Sequence, residues 1–535
     1  MSGRIIRREL LRALVLGALL STSYMGVGAA ADYPITGDTI SGNHDLQEQY
    51  NLFNLDGNQK VTATSDVTVV SSGTEIENKA AIIDGRNNSG SSLDLNMDGH
   101  SLSIESYPYT FYMTSSNHKI DVHDADTISV KAIGRPIMYM PVGSGNEINL
   151  QANKDILLTQ VKDDFDSPSM SVKGDNTLSL KAGNDIVLHN DVKSNILTVS
   201  NKADLQIEAG HDVVFNRVSA EPYIPNLYVE RNANATVNAG NDIIFNRVKN
   251  ATPIGLRTNA TVNLKAKGNI IFHEEQASNP VAINMESDAD FQMEAQTISG
   301  NMQRMTMVAG GSNFNLKADD LQWGAPVGQS VEAVAPKNDP MLTSMISAGR
   351  SSTVKLDLGN SAKLANEITG TLLYTNFGSL TMNAGDSIYL HNTGYKSDDK
   401  FQSLIRLQGG TIDLTAGEGI LLDNKGAIAV LSEYYGEVNF NGKTAINGAG
   451  IGAFAPGGGI INFNGNTVMS QVGTGASASE SGTINFNGNT VMSQVDIGAL
   501  TETDSDPWAE ELTKINFEDD VVIDQAETGV SASYN

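Results

Sequence analysis

The stretch Asn238-Ala239-Gly240-Asn241-Asp242-Ile243-Ile244-Phe245-Asn246-Arg247-Val248 is one copy of a pattern that returns along the chain. Glu208 to Val218 repeats it as EAGHDVVFNRV, and Lys181 to Asn190 as KAGNDIVLHN. A small residue, a tight turn, an apolar β-type run and a polar turn recur about once every thirty residues. A period of that size means stacked units that bury a shared core, since one unit cannot bury its own apolar face. Anchored on the small residue, the series is Ala125, Ala152, Ala182, Ala209, Ala239, Ala266, Ala295 and Ala318, resuming at Ala384 and Ala416. Each unit carries two short β-runs around a Gly/Asn/Asp turn, and a further β-prone patch. No helical periodicity separates them, which argues against alternating strands and helices.

The predicted fold is therefore all-β: a right-handed parallel β-helix of about 18 coils, each of 23–32 residues and three short strands. At ~4.8 Å per coil the rod is roughly 85 Å long. The last third is the most regular. Ile461 to Val472 (INFNGNTVMSQV) is repeated without change at Ile484 to Val495, a shift of 23 residues. A solenoid tolerates duplication of one coil because each coil touches only its neighbours.

Residues 1–31 read as an export signal. Arg4, Arg7, Arg8 and Arg12 precede a short apolar run, Ala13 to Leu20, and Ala29-Ala30-Ala31 offers a small-residue cleavage site. Residues 32–90 read as an N-terminal cap or entry segment, with Lys60 to Val70 as a strand. Residues 91–535 read as the β-helix. A loop protrudes near 324–345, where Pro326, Pro336 and Pro340 break the pattern, and the last coil is incomplete.

Composition excludes several functions. The 35 Lys and Arg stand against 62 Asp and Glu, a net charge of −27, and no basic run follows the N-terminus, so nucleic acid is not an expected partner. The absence of cysteine removes disulfides, thiol catalysis and Cys-ligated metals.

These features resemble the passenger domains of Gram-negative autotransporters (type V secretion). The A-G-[NH]-D-[IV]-[IV]-[FL] units at Ala182, Ala209 and Ala239 carry the resemblance, which covers nearly all of the chain after the signal. It implies a secreted or cell-surface β-helix exported across the inner membrane. The terminal sequence Ser531-Ala532-Ser533-Tyr534-Asn535 does not follow a series of membrane-barrel strands. The expectation is a truncated passenger, or one whose outer-membrane barrel is encoded elsewhere or lost.

Two aligned columns could carry chemistry. After each apolar run comes Thr159, His189, Asn216, Asn246, His273, His391 or Asp423. Three coils separate His189 from His273, roughly 14 Å, too far to share a metal ion. Asp155, Asp185, Asp212 and Asp242 also align, and Arg217 and Arg247 follow the last two. A β-helical lyase or glycosidase pairs carboxylates with a cation. A catalytic pair is however a local exception, and this acid recurs in every coil. An Asp in a turn bonds its own backbone and needs no further role. Gly457-Gly458-Gly459 lacks the calcium-roll pattern, and no serine nucleophile elbow, phosphate loop or H-E-x-x-H motif occurs. No catalytic residue, metal ligand or cofactor is therefore predicted. Tyr107, Tyr109, Phe111 and Tyr112, and Tyr434-Tyr435, are aromatic clusters that either bind a partner or fill the interior. The expected function is a non-enzymatic, adhesin-like rod recognising a host-cell or biofilm surface glycan or protein. A carbohydrate-active enzyme and a passive surface scaffold are the alternatives.

Overall fold

The computed structural model describes residues 33–46, 51–71, 81–86, 89–141, 145–161, 167–218, 224–247, 252–275, 281–324, 344–366, 371–392, 402–503 and 513–534. Every regular element among them is a β-strand, and every pairing between strands is parallel. Three sheets run the length of the stack. The coil after Gly174 shows the order: Thr177–Ala182 lies in the first sheet, Ile186–Asn190 in the second and Leu197–Ser200 in the third. The next coil repeats it with Asp204–Ala209, Val213–Arg217 and Leu227–Glu230. Each strand pairs with its equivalent one coil away, so the chain is a parallel β-solenoid.

The register follows the sequence repeat residue for residue. Ala125, Ala152, Ala182, Ala209, Ala239 and Ala266 form one column, and Ala384 and Ala416 pair in its continuation. Inside, side chains stack on their own kind. The Phe215, Phe245 and Phe272 rings lie 4.7 and 5.0 Å apart and nearly parallel. In the duplicated region Phe440, Phe463, Phe486 and Phe517 continue at 4.9 Å. A parallel, in-register stack forces this, because identical spacing puts identical residues one coil, ~4.8 Å, apart. The outer face of the first sheet uses the same rule with polar groups. Asn462 Nδ2 donates to Asn439 Oδ1 at 2.7 Å, and Asn485 Nδ2 to Asn462 Oδ1 at 2.7 Å.

The Ala-Gly corner between first and second sheets is set by close approach rather than by an unusual backbone angle. A Cβ on Gly183, Gly210 or Gly240 would lie 2.1, 2.0 or 1.9 Å from the carbonyl oxygen one coil below. The corner from third to first sheet is different: it holds pairs of residues at positive φ, such as Asn201-Lys202, Arg231-Asn232 and Gly310-Gly311. Asn and Gly are at ease there.

Two boundaries differ from the sequence reading. Residues 32–90 were expected to cap the stack. Thr39–Asp45 instead pairs with Asn58–Ser71, and Phe53–Asn54 with Ala81–Gly85, so coils begin there. Their pairing is irregular between Ile40 and Gly42, which hides the period in the sequence. The last coil is not incomplete: Lys514–Phe517, Val521–Asp524 and Thr528–Tyr534 supply all three strands. Its third strand is built of small residues and shows no apolar alternation. The signal expected at 1–31 lies outside the described residues, as does 325–343 of the expected loop. That loop joins Trp323, ending a second-sheet strand, to Ile346 in the third sheet.

Candidate functional site

The aspartate column does not close its own turns. Asp155 Oδ1 accepts the Asp185 amide one coil away at 3.1 Å; Asp185 accepts that of Asp212 at 3.0 Å; Asp212 that of Asp242 at 2.9 Å; Asp242 that of Asn269 at 2.7 Å. The same oxygens take a second bond from the neighbouring coil, from Asn184, His211, Asn241 and Asn269 side chains at 2.7–3.0 Å. The expectation that the acid bonds its own backbone is corrected: it clamps one coil to the next. A short side chain reaches the next amide because coils are only ~4.8 Å apart.

The arginines stand at the other end of the second strand. Residues 213, 215 and 217 share the inner face, so Arg217 and Arg247 are buried, at 1% and 3% exposure. Their column runs Gln160, Asn190, Arg217, Arg247, Glu274. Asn190 shows what the column does: its Nδ2 donates to Ser194 O at 3.0 Å and its Oδ1 accepts the Val192 amide at 2.6 Å. It fastens the connection to the third sheet. Arg217 and Arg247 both donate to the Ile224 carbonyl. Burial, with Arg217 beside it, pushes the Arg247 guanidinium well below its ordinary range, while the Glu274 charge pulls it back. Asp212 and Arg217 are five residues apart along an extended strand, roughly 16 Å, so acid and guanidinium do not converge on one bond.

The polar column after each apolar run faces outward. Thr159, His189, Asn216, Asn246 and His273 are register partners, as are His391 and Asp423. Asn216 Nδ2 donates to His189 Nδ1 at 2.8 Å, and His391 Nδ1 meets Asp423 Oδ2 at 2.8 Å. Burial holds the His273 ring below the usual histidine range, against a weaker pull from Glu275.

The aromatic clusters divide. Phe111 points inward and is fully buried. Tyr109 and Tyr112 point outward, half-buried, and Tyr139 joins them from the next coil as the register partner of Tyr112. Ring centroids are 4.7 Å (Tyr109–Tyr112), 5.3 Å (Tyr109–Tyr139) and 5.5 Å (Tyr112–Tyr139). Arg86 lies over the Tyr112 ring at 5.5 Å and Arg135 over Tyr109 at 5.6 Å. The buried Asp84 carboxylate holds Arg86 through its Nε at 2.8 and 2.9 Å. That bond outweighs the effect of burial and raises the Arg86 guanidinium above its ordinary value. Partial burial raises the Tyr109 and Tyr112 phenols, so both remain neutral donors at physiological pH. The patch thus combines three polar-tipped rings with two cations on a chain of strongly negative net charge. Tyr107 covers Gly134, where a Cβ would meet its ring at 2.8 Å.

Tyr434 and Tyr435 are 60% and 80% exposed and both sit at positive φ, 50° and 59°. The flanking corners place Gly409-Gly410 and Gly457-Gly458 there, and bulky residues adopt this conformation at a cost. The sequence reading missed Tyr139 and the inner polar column. Both signals were present: Tyr139 follows Tyr112 by the local 27-residue period, and strand parity puts Arg217 inside with Val213 and Phe215.

Compared with known proteins, the chain matches no family model, no curated protein and no solved structure.

Proposed function

We propose that this chain is a secreted or cell-surface passenger of the autotransporter kind, acting as a non-enzymatic, adhesin-like binding protein. The observation that carries the proposal is the Tyr109–Tyr112–Tyr139 patch with Arg86 and Arg135. Clustered tyrosines beside arginine are the composition of binding hot spots, since they offer large rigid surface with polar tips. The partner class is a glycan or protein on a host cell or in a biofilm. Export through an N-terminal signal belongs to the same reading.

The enzymatic alternative is weakened by the separation of the aligned acids from the buried arginines. Glycan-array and cell-binding measurements test the proposal. Tyr112→Ser and Tyr139→Ser should each weaken binding at least tenfold while leaving the unfolding transition in place; the register partner of Tyr139 is already Ser171. Absence of binding to any glycan or cell surface sinks the adhesin reading. Release of unsaturated or reducing sugar ends from a polysaccharide overturns the non-enzymatic one.

A further inference from the structure

The corner between first and second sheets changes its polar residue from coil to coil, running Lys154, Asn184, His211, Asn241 and Gly268. Position 211 is His, where the neighbouring coils have Asn184 and Asn241. The fold does not require this exchange, because Asn184 and Asn241 make the equivalent bond to the preceding aspartate at 2.7 and 2.8 Å. Histidine adds a different geometry. His211 Nδ1 stands 2.9 Å from Asp185 Oδ1 and 3.2 Å from Asp212 Oδ2. Among the described residues this is the one group in which three such side chains bring ligand atoms within 4.8 Å of one another.

The geometry points to a divalent transition-metal site, of the zinc class, formed by His211 Nδ1, Asp185 and Asp212. One imidazole nitrogen and two carboxylate oxygens are a donor set that zinc accepts. Ligand atoms around a tetrahedral zinc with bonds of ~2.0–2.2 Å stand roughly 3.3–3.5 Å apart, so the two nitrogen–oxygen pairs need open by only a few tenths of an ångström. The carboxylates are already held. Asp185 Oδ1 accepts the Asp212 amide at 3.0 Å. Asp212 Oδ1 accepts Asn241 Nδ2 at 2.8 Å and the Asp242 amide at 2.9 Å, leaving Oδ2 turned to His211. Such outer bonds orient ligands before the ion arrives. His211 is about half exposed, at 48%, which leaves an approach path and a fourth position for water. Binding takes the Nδ1 lone pair, so one proton is released when the ring starts as imidazolium and none when it starts neutral, its remaining proton then resting on Nε2.

The test is calorimetric titration of the full-length protein with Zn²⁺ alone, alongside His211→Asn and Asp185→Asn. His211→Asn installs the residue that sister coils use, and Asp185→Asn is isosteric, so the stack is kept; the unfolding transition checks this. The wild type should take up one more Zn²⁺ equivalent than either variant, or bind it at least tenfold more tightly. Co²⁺ should give a visible absorption band that both variants lack. Ca²⁺, which seeks oxygen donors, should not distinguish the wild type from His211→Asn. Comparison with the wild type separates this site from the other pairs, such as His123 with Asp94 and Asp124. Retention of wild-type stoichiometry and affinity by either variant overturns the proposal.

Discussion

Replacing Gly240 by Ala tests how tightly the coils are stacked. The added Cβ would fall 1.9 Å from the Gly210 carbonyl oxygen. Even a close C–H···O contact needs about 3.3 Å between carbon and oxygen, so the corners must part locally by more than ~1 Å. Two bonds hold that corner down: Gly240 N to Ala209 O at 2.9 Å and Asn241 N to His211 O at 2.8 Å. Stretching both past the ~3.2 Å limit loses them. At ~1 kcal/mol net each, and more where an amide is left dry, the cost is about 2–4 kcal/mol. The next coil supplies an internal comparison. Lys267 has the corresponding position, and its amide reaches Ala239 O at a longer 3.2 Å. A Cβ is present there, so Lys267→Gly should change the midpoint only by the ~0.5–1 kcal/mol that glycine's backbone freedom costs. Long arrays do not always unfold in one step, so the assay should be local. Amide exchange at residues 240 and 241, with a denaturation midpoint, reads the effect. Unchanged exchange and a midpoint shift below ~0.5 kcal/mol for Gly240→Ala would refute the close-approach argument.

Further outcomes follow from the interior and the corner. Phe245→Ala removes the middle ring of the Phe215–Phe245–Phe272 stack and should cost about 3–5 kcal/mol, with Phe245→Leu clearly milder, read from denaturation midpoints. Arg247→Ala leaves Glu274 buried beside a void and should destabilise by roughly 3 kcal/mol or more; Arg247→Asn, the residue of the Asn190 coil, should recover part of that loss, and equal midpoints for the two variants would contradict the fastening role. Burial tends to lower the His211 ring, but the Asp185 hydrogen bond and the charges of Asp212, Asp185 and Asp242 together hold it above the usual histidine value. A raised folded value means its contribution is fully present below the unfolded value of about 6.5 and is lost as pH rises through the folded one. His211→Asn should therefore flatten the stability profile across that window. Ring-proton titration by NMR checks the direction, and a folded value at or below that of a histidine peptide would refute it.

The Ala column shows how much of the fold is legible in the chain. Ala125 through Ala266 were aligned by spacing alone and pair in that register. A stacked parallel coil permits this, because the residue one period on is also the neighbour in space. The site is less legible. Asp212 is visible as a periodic turn residue, but its partners are the amide of Asp242 and the side chain of Asn241, 30 and 29 residues later. Nothing local distinguishes an acid that folds back on its own turn from one that reaches the next coil. Arg217 follows Asp212 closely in sequence and suggests a pair. An extended strand instead carries it to the opposite corner and, by parity, to the inside.

The sequence by itself determined the class of fold, the repeat register and the aromatic and asparagine stacks, since each depends only on what recurs at one period. Tertiary structure alone decided which repeated polar groups clamp coils together, which arginines are removed from water and which tyrosines meet across coils. It also decided that His211, set between coils that carry Asn184 and Asn241, stands between two carboxylates. These depend on distances of a few ångströms between residues about thirty positions apart. For such distances the rise between coils and the direction of each side chain matter as much as the period.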